Sequence, residues 1–166
     1  MFICRPDWAL NPAKSGNFLD IDVKNRKATL WDSGKNRFTN STTKHTGLAI
    51  AKVLLNHEMT VNKQVFISDF VASQRDILAS LEKQLGETFT VEEKESAPVF
   101  KEMRAKFDAG DFNAVYKLIA LSFVGDLGIE YDFETKYGAW NEKLGLPKTT
   151  LDEVVKEAIE LASSTT

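Results

Sequence analysis

The sequence has few of the residues from which disulfides, zinc sites and nucleophilic sites are built. Its 166 residues include one cysteine, Cys4, and two histidines, His45 and His57. One cysteine excludes an internal disulfide, and it cannot complete a structural zinc site with only two histidines. No histidine lies near Cys4 in the sequence, so catalysis by this thiol has little support. A chain without disulfides fits a reducing compartment, and we expect the protein in the cytosol or the nucleus.

Glycines are present, but none is spaced for a phosphate-binding loop. Patterns such as GxGxxG, GxxGxxG and GxxxxGK let backbone N–H groups reach a phosphate at the N-terminus of a helix. None of them occurs among the nine glycines. Gly125 and Gly128 come nearest, but a polar loop follows them, which indicates a turn. The sequence therefore predicts no cofactor-binding residue and no dinucleotide binding by this chain alone.

An excess of positive charge and long apolar runs are also lacking. The formal net charge is -3, and the densest basic run, residues 24–27, is broken by Asn25. Nucleic-acid binding depends on neutralising phosphates, so the composition argues against it. No stretch reaches the ~18 apolar residues of a membrane span. The 43% hydrophobic content is that of one globular domain.

Short strand-like runs and amphipathic helices alternate along the chain, which predicts an α/β fold. Strands are expected at residues 2–4, 28–31, 65–67 and 88–92, with a hairpin-type turn at 32–35. Helices are expected at Thr43–Leu55, Gln74–Leu85, 98–110, 112–123 and 151–162. The few short strands cannot form a large sheet for so many helices. We infer that part of the sheet they cover lies outside this chain.

Two helices carry clear terminal signals. Ser73 with Asp76, and Thr150 with Glu153, have the spacing of a capping box, and Gly86 supplies a left-handed C-terminal cap. In the helix expected at Thr43–Leu55, the periodicity predicts an apolar face. Ile50, Ala51 and Leu54 share one face, and Gly47 permits close approach of a neighbour there.

Candidate ligand-binding side chains are aromatic. Several cluster toward loops and element ends, where they either line an apolar pocket or bury loop segments, and the sequence does not decide between these. They are Trp8, Phe18, Trp31, Phe123, Tyr131, Phe133, Tyr137 and Trp140. His45 either faces a cleft at the start of its helix or lies at the surface, which is the commoner case. No catalytic or metal-binding residue is predicted, because the acidic cluster at residues 126–134 lacks EF-hand spacing.

Five segments in order resemble a known family. They are FLDIDVKNRKATLWDSG (18–34), STTKHTGLAIAKVLLN (41–56), TVNKQVFISDFVASQRDILASLEKQLGETFTVE (60–92), GDF (110–112) and NEKLGLPKTTLDEVV (141–155). Together they are similar to the fungal NmrA-like proteins, in the isoflavone reductase branch of the atypical short-chain dehydrogenases.

The resemblance implies a Rossmann-like NAD(P)-binding protein with a smaller C-terminal substrate domain. Residues 1–166 would be that single substrate-side domain, without the N-terminal dinucleotide-binding half that carries the glycine-rich loop and the catalytic lysine. NADP is the implied cofactor, although we do not expect it to bind this chain alone. The implied substrate-binding residues are Trp8, His45, Phe123, Tyr131 and Tyr137.

Two functions remain open at this stage. The first is the substrate domain of an NAD(P)H-dependent oxidoreductase acting on a small aromatic molecule, inactive by itself. The second is a non-catalytic redox-sensing or regulatory module that binds a protein. Both imply exposed apolar surface, so we expect a protein partner or self-association but neither nucleic acid nor membrane as partner. Whether the chain is an enzyme is left undecided by the sequence.

Overall fold

A computed structural model of the protein describes residues 2–4 and 18–163, and confirms the α/β fold class. The strands are β1 (Phe2–Cys4), β2 (Ile21–Asp22), β3 (Lys27–Trp31), β4 (Phe38–Thr42), β5 (Phe70–Ala72) and β6 (Thr90–Lys94). The helices are α1 (Thr43–Leu55), α2 (His57–Thr60), α3 (Gln74–Leu85), α4 (Ser96–Asp108), α5 (Ala114–Val124), α6 (Phe133–Tyr137), α7 (Asn141–Leu144) and α8 (Leu151–Ser163).

The described strands form two sheets of three. In the first, the order is β1-β4-β5, with β1 parallel and β5 antiparallel to β4. In the second, the order is β2-β3-β6, with β2 antiparallel and β6 parallel to β3. The predicted turn at 32–35 is present, and Gly34 has a φ of 65°. It joins the two sheets rather than closing a hairpin, because β3 and β4 do not pair with each other.

The strand predicted at residues 65–67 is wrong. These residues run without strand pairing, and β5 is formed instead by Phe70–Ala72. Pairing with β4 decides the position, since Ala72 lies opposite Phe38 and both side chains are buried. Ile67 packs in a separate small cluster with Ala49, Leu144 and Leu146. The strand expected at 88–92 is present two residues later, as β6.

Helix α3 packs against both sheets, contacting β3 and β5. Its predicted capping box is confirmed, since the Ser73 side chain accepts from the Asp76 N–H and Gly86 adopts the left-handed conformation. Gln74 is fully buried at its start. The Gln74 amide donates to the carbonyls of Leu19 (2.8 Å) and Thr29 (3.0 Å) and accepts from the Trp31 N–H (3.0 Å). These bonds fix the helix to β3 and to the segment before β2.

Most buried apolar side chains belong to one cluster, which includes Leu30, Leu81, Leu121 and Val155. It combines side chains of the β2-β3-β6 sheet and of helices α3, α5 and α8 with Phe38 of β4 and Ala72 of β5. Helix α1 differs, because its buried residues are only His45 and Ala49. The apolar face predicted for it points to solvent instead, with Ile50 58% and Leu54 72% exposed. The periodicity correctly grouped these residues on one face of α1, but it did not show that this face is exposed to solvent.

Candidate functional site

The parallel pair β1-β4 ends at Cys4 and Thr42, which are register partners. In open α/β sheets, ligands bind outside the carboxyl ends of the parallel strands. Helix α1 begins immediately after β4, and the Thr42 side chain caps it by accepting from the His45 N–H at 3.1 Å. This cap places the His45 side chain in the first turn of α1, at the carboxyl edge of the sheet.

His45 is buried together with a carboxylate. The residue is 3% exposed, and its Nδ1 lies 2.7 Å from Oδ1 of Asp69, whose side chain is fully buried. The separation is that of an ion pair, but neither ring nitrogen completes a hydrogen bond of acceptable direction among the described residues. Asp69 therefore places a carboxylate beside the imidazole ring, and the Nε2 atom of His45 has no hydrogen-bond partner among the described residues.

Asp69 also holds two backbone segments. Its Oδ2 accepts from the N–H of Thr42 at 2.7 Å, and its Oδ1 accepts from the N–H of Thr149 at 3.0 Å. The end of β4 and the loop before α8 are thereby fixed to one buried carboxylate. Removing it would leave two half-buried backbone donors without this acceptor, which lowers stability. We conclude that Asp69 is the central positioning residue of this edge.

A chain of ring contacts runs beside β4, and we call it the aromatic ladder. Successive ring centroids are 4.3–6.3 Å apart, within the range of favourable aromatic pairing. In order along the ladder, the rings are Phe38, Phe123, Tyr131, Phe133, Tyr137 and Phe66. Its inner end is buried, whereas Tyr137 is 55% exposed and stacks on Phe66 at 4.8 Å.

The aromatic ladder is tied to the His45–Asp69 edge through β4 and Ser68. The Thr39 N–H donates to the Tyr131 carbonyl at 2.9 Å, and the Glu134 N–H donates to the Thr39 hydroxyl at 3.1 Å. The Ser68 hydroxyl, adjacent to Asp69, donates to Glu134 at 2.5 Å. Tyr131 and Asp69 are thus held by neighbouring parts of one hydrogen-bonded network.

An open cleft of about 490 Å³ lies between α6 and the loop before α8. Its floor combines buried acid with apolar surface, and its rim carries cations and hydroxyls. It is lined by Arg37, Asp69, Phe70, Val71, Glu134, Thr135, Lys148, Thr149, Thr150 and Leu151. A second cleft of about 390 Å³ shares Arg37 and Thr135 with it. The volume suits a small molecule, with apolar walls and a few polar groups to orient it.

None of the predicted substrate residues in the described part of the chain lines either of these two clefts. Phe123, Tyr131 and Tyr137 are brought together as members of the aromatic ladder, at its buried, half-buried and exposed positions. His45 is not a member of the ladder and is connected to it through β4, Asp69 and Ser68. Trp8 falls outside the described residues.

The sequence did not point to Asp69, Arg37 or Thr149, and it singled out Glu134 only as part of the acidic cluster. Asp69 comes two residues after the apolar run 65–67, which is where a polar side chain at the end of a strand would be sought. No sequence signal connects it to His45, 24 positions earlier, because the contact depends on the pairing of β4 with β5.

The acidic cluster at residues 126–134 does not form a metal site. Asp132 caps α6 by accepting from the Thr135 N–H at 3.0 Å, and Glu130 pairs with Lys136 at 2.7 Å, which raises the pKa of that lysine. Within residues 2–4 and 18–163, no three His, Cys, Asp or Glu side chains are grouped to hold a metal ion. Among the same residues there is also no helix long and apolar enough to cross a membrane.

The known proteins to which this chain is similar are named oxidoreductases. No family model matches the chain. It is 30% identical over 146 residues to oxidoreductase aprR of Aspergillus flavus, covering 87% of this chain and 48% of that protein. It is 24% identical over 156 residues to oxidoreductase poxI of Penicillium oxalicum, covering 93% and 49%. The chain therefore spans about half the length of the curated relatives that it matches.

Among solved structures, the fold resembles an NADPH-dependent quinone oxidoreductase (QOR2) from Escherichia coli. The TM-score is 0.52 at 21% identity, over 81% of this chain and 47% of that one. At this identity the likeness concerns the fold. The chain thus has relatives named oxidoreductases, and it shares the fold of about half of an NADPH-dependent one.

Proposed function

We propose that this chain is the substrate-side domain of an NAD(P)H-dependent oxidoreductase of the NmrA-like, isoflavone reductase type, acting on a small aromatic molecule. The observation that carries the proposal is a cleft beside an aromatic ladder, within a fold equivalent to about half of an NADPH-dependent enzyme. The curated relatives named oxidoreductases are about twice as long as the matched region. Their length supports the proposal that one half binds the substrate and the other half binds the cofactor.

The residues described here do not fit the pyrophosphate of NAD(P). At the start of α4, which follows the parallel pair β3-β6, the Asp32 carboxylate already accepts from the Ser96 N–H. Helix α1 follows the parallel pair β1-β4, so its N-terminus is the other natural place for a phosphate. There, the Thr42 N–H already donates to Asp69, and the His45 N–H donates to the Thr42 side chain. A buried carboxylate thus lies where a phosphate would need to approach. The proposal therefore places the cofactor on the other half of the enzyme and derives no step of the reaction here.

The chemistry of the cleft supports a planar aromatic substrate. Phe70, Val71 and Leu151 provide apolar surface, while Arg37 and Lys148 lie at the rim. Such a site buries a ring and orients a carbonyl oxygen by charge or hydrogen bonds. QOR2 is described as a quinone oxidoreductase, and a small quinone has this shape and polarity.

Within this proposal the predicted residues take two roles. Tyr131 and Tyr137, at the accessible part of the ladder, and Trp8 would contact the substrate. Phe123 and His45 are buried, and they would act by positioning Tyr131 and the Asp69 edge, respectively.

The experiment is a fusion in which the half of oxidoreductase aprR outside the matched region is joined to this chain. We expect the fusion to oxidise NADPH in the presence of a small quinone such as menadione, while the isolated chain does not. Tyr137→Ala should raise the KM for the quinone more than it lowers kcat, because ring contact contributes to binding. Phe112→Ala, an exposed aromatic remote from the ladder, is the matched control. NADPH binding without turnover would contradict the proposal.

One feature favours the second candidate, a regulatory protein-binding module. Phe112 is 72% exposed, and Tyr116 on the next turn is also exposed. Exposed aromatic pairs are enriched at protein interfaces. For that function, the fusion should bind NADPH without turnover, and Phe112→Ala should weaken a protein interaction while Tyr137→Ala does not.

A further inference from the structure

Helix α1 presents its larger apolar residues to solvent. Its buried positions hold the polar His45 and the small Ala49, whereas Leu54 and Leu55 are 72% and 82% exposed. This is the reverse of a surface helix of a globular protein, whose apolar stripe faces the core. At 100° per residue the exposed apolar positions form one continuous arc, and the charged residue on that arc, Lys44, lies at its N-terminal end. We call this arc the outward face of α1: Gly47, Leu48, Ile50, Ala51, Leu54 and Leu55.

The shape of the outward face suits a packed backbone. Gly47 and Ala51 lie at its centre, one turn apart, with leucine and isoleucine side chains on both sides. A Cβ atom added at Gly47 would meet nothing within 4 Å, so the groove above the glycine is open. Small residues flanked by large ones allow a second helix to approach closely, with its ridge in the groove. Contiguous exposed apolar surface of this kind marks an interface.

The neighbours of α1 indicate what covers this face. Helix α1 lies against β1 and β4, and β1 pairs with β4 on one side only among the described strands. β6 is also a sheet edge, but its exposed side chains are largely charged, which protects an edge from further pairing. In an α/β sheet that continues beyond β1, the next helix on the same layer would lie beside α1.

We infer that the outward face of α1 and the free edge of β1 form the joint to the cofactor-binding half of the same oxidoreductase. A helix of that half packs over Gly47 and Ala51, and its sheet continues from β1. This inference rests on the proposed function, since it takes the remaining half of the enzyme to be the dinucleotide-binding one. The relatives supply the length required, because about half of each lies outside the match.

The test uses thiol labelling in a Cys4→Ser background. Single cysteines are introduced as Ile50→Cys and Leu54→Cys on the outward face, and as Val91→Cys on β6 as a matched exposed control. Maleimide rates are measured in the isolated chain and in the fusion to the cofactor-binding half of oxidoreductase aprR. Because labelling follows access to the thiol, we expect rates at 50 and 54 to fall by at least about tenfold in the fusion, with no change at 91.

Equal rates at 50 and 54 in both proteins, in a fusion shown to bind NADPH, overturn the inference even if the fusion turns over. Protection without turnover supports the joint and contradicts the proposed function instead, so the two failures are distinguishable. Slow labelling in the isolated chain that speeds up on dilution would assign the face to a second copy and also overturn it.

If the fusion does not fold, the inference is tested by dye binding to the isolated chain. The double variant Ile50→Lys/Leu54→Lys should then bind markedly less of an apolar dye, because Leu54 and Leu55 of the outward face are among the most exposed large apolar side chains of the described residues. Unchanged dye binding by a folded variant would contradict the inference.

Discussion

The two sheets of this protein are packed to different degrees. The β2-β3-β6 sheet is covered by α3, α5 and α8, whose leucines and valines meet in one buried cluster. The β1-β4-β5 sheet is accompanied by α1, which directs His45 and Ala49 inward and its leucines outward. The core of the first region is built mainly from its own residues, and it also includes Phe38 of β4 and Ala72 of β5. The second has buried polar residues in place of a full core, which is expected where a sheet continues into another part of a protein.

The largest expected effect on stability comes from comparing the same change, leucine to alanine, in the two regions. Leu81→Ala on α3 removes a side chain with no exposure from the large cluster, and should lower the free energy of unfolding by about 2–5 kcal/mol. Leu54→Ala on the outward face of α1 should change it by no more than about 0.5 kcal/mol. Urea unfolding followed by far-UV circular dichroism measures both. Similar losses would show that α1 is packed in the isolated chain.

A somewhat smaller effect is expected at the polar anchor that holds α3 to β3 in the better-packed region. Gln74→Leu leaves the Leu19 and Thr29 carbonyls and the Trp31 N–H without their partner. Each unsatisfied buried group costs about 1–3 kcal/mol, partly offset by the added apolar volume. Thermal unfolding should show a clear loss for this variant and little change for the exposed control Gln64→Leu. A neutral Gln74→Leu would mean that α3 is held by packing alone.

A pH dependence is expected from Asp32, which joins the end of β3 to α4. Burial acts to raise its pKa, but hydrogen bonds from the Ser96 hydroxyl and from the Asp126 and Ser96 N–H groups outweigh this and lower the pKa below 3.8. A lowered folded-state pKa contributes stability above pH 3.8, and that stability is lost as the pH falls through the folded value. Asp32→Asn should be less stable at pH 7 and should lose less stability on acidification.

Melting temperatures between pH 2 and 7 measure this, with Glu160→Gln on the exposed side of α8 as the control. If Asp32→Asn and the unmodified protein lose stability in parallel as the pH falls, the hydrogen-bonded carboxylate is not what stabilises this corner.

The smallest effect on stability is expected from an ion pair at the surface, which separates the contribution of surface charge from that of packing. Arg104 and Asp108 form an exposed (i, i+4) ion pair at 3.0 Å on α4. Such pairs contribute about 0.3–0.5 kcal/mol, so Arg104→Gln should lie close to the resolution of a chemical unfolding curve. A loss comparable to that of Gln74→Leu would show that surface charge, rather than packing, accounts for the stability of the better-packed region.

Local signals in the sequence predicted local structure well. The capping box at Ser73 and Asp76 and the glycine at 86 fixed the ends of α3, because a cap depends on residues within one turn. The strand at residues 65–67 was misplaced, since its apolar run resembles that of Phe70–Ala72 and only pairing with β4 distinguishes them.

The site required the tertiary structure for the same reason. Tyr131 and Tyr137 were chosen from their positions near loops, but the ring contacts joining them to Phe38 and Phe66 could not be foreseen. The buried pair of His45 and Asp69 has no periodicity and no motif. It arises because β4 and β5 bring the two segments together.

The central claim is that this chain supplies the substrate side of an oxidoreductase and leaves the dinucleotide to the other half. The most direct measurement is a titration of the purified chain with NADPH, followed by the fluorescence of its tryptophans. The account predicts only the linear attenuation caused by absorbing ligand, with no saturable change. Saturable quenching at micromolar NADPH would contradict it.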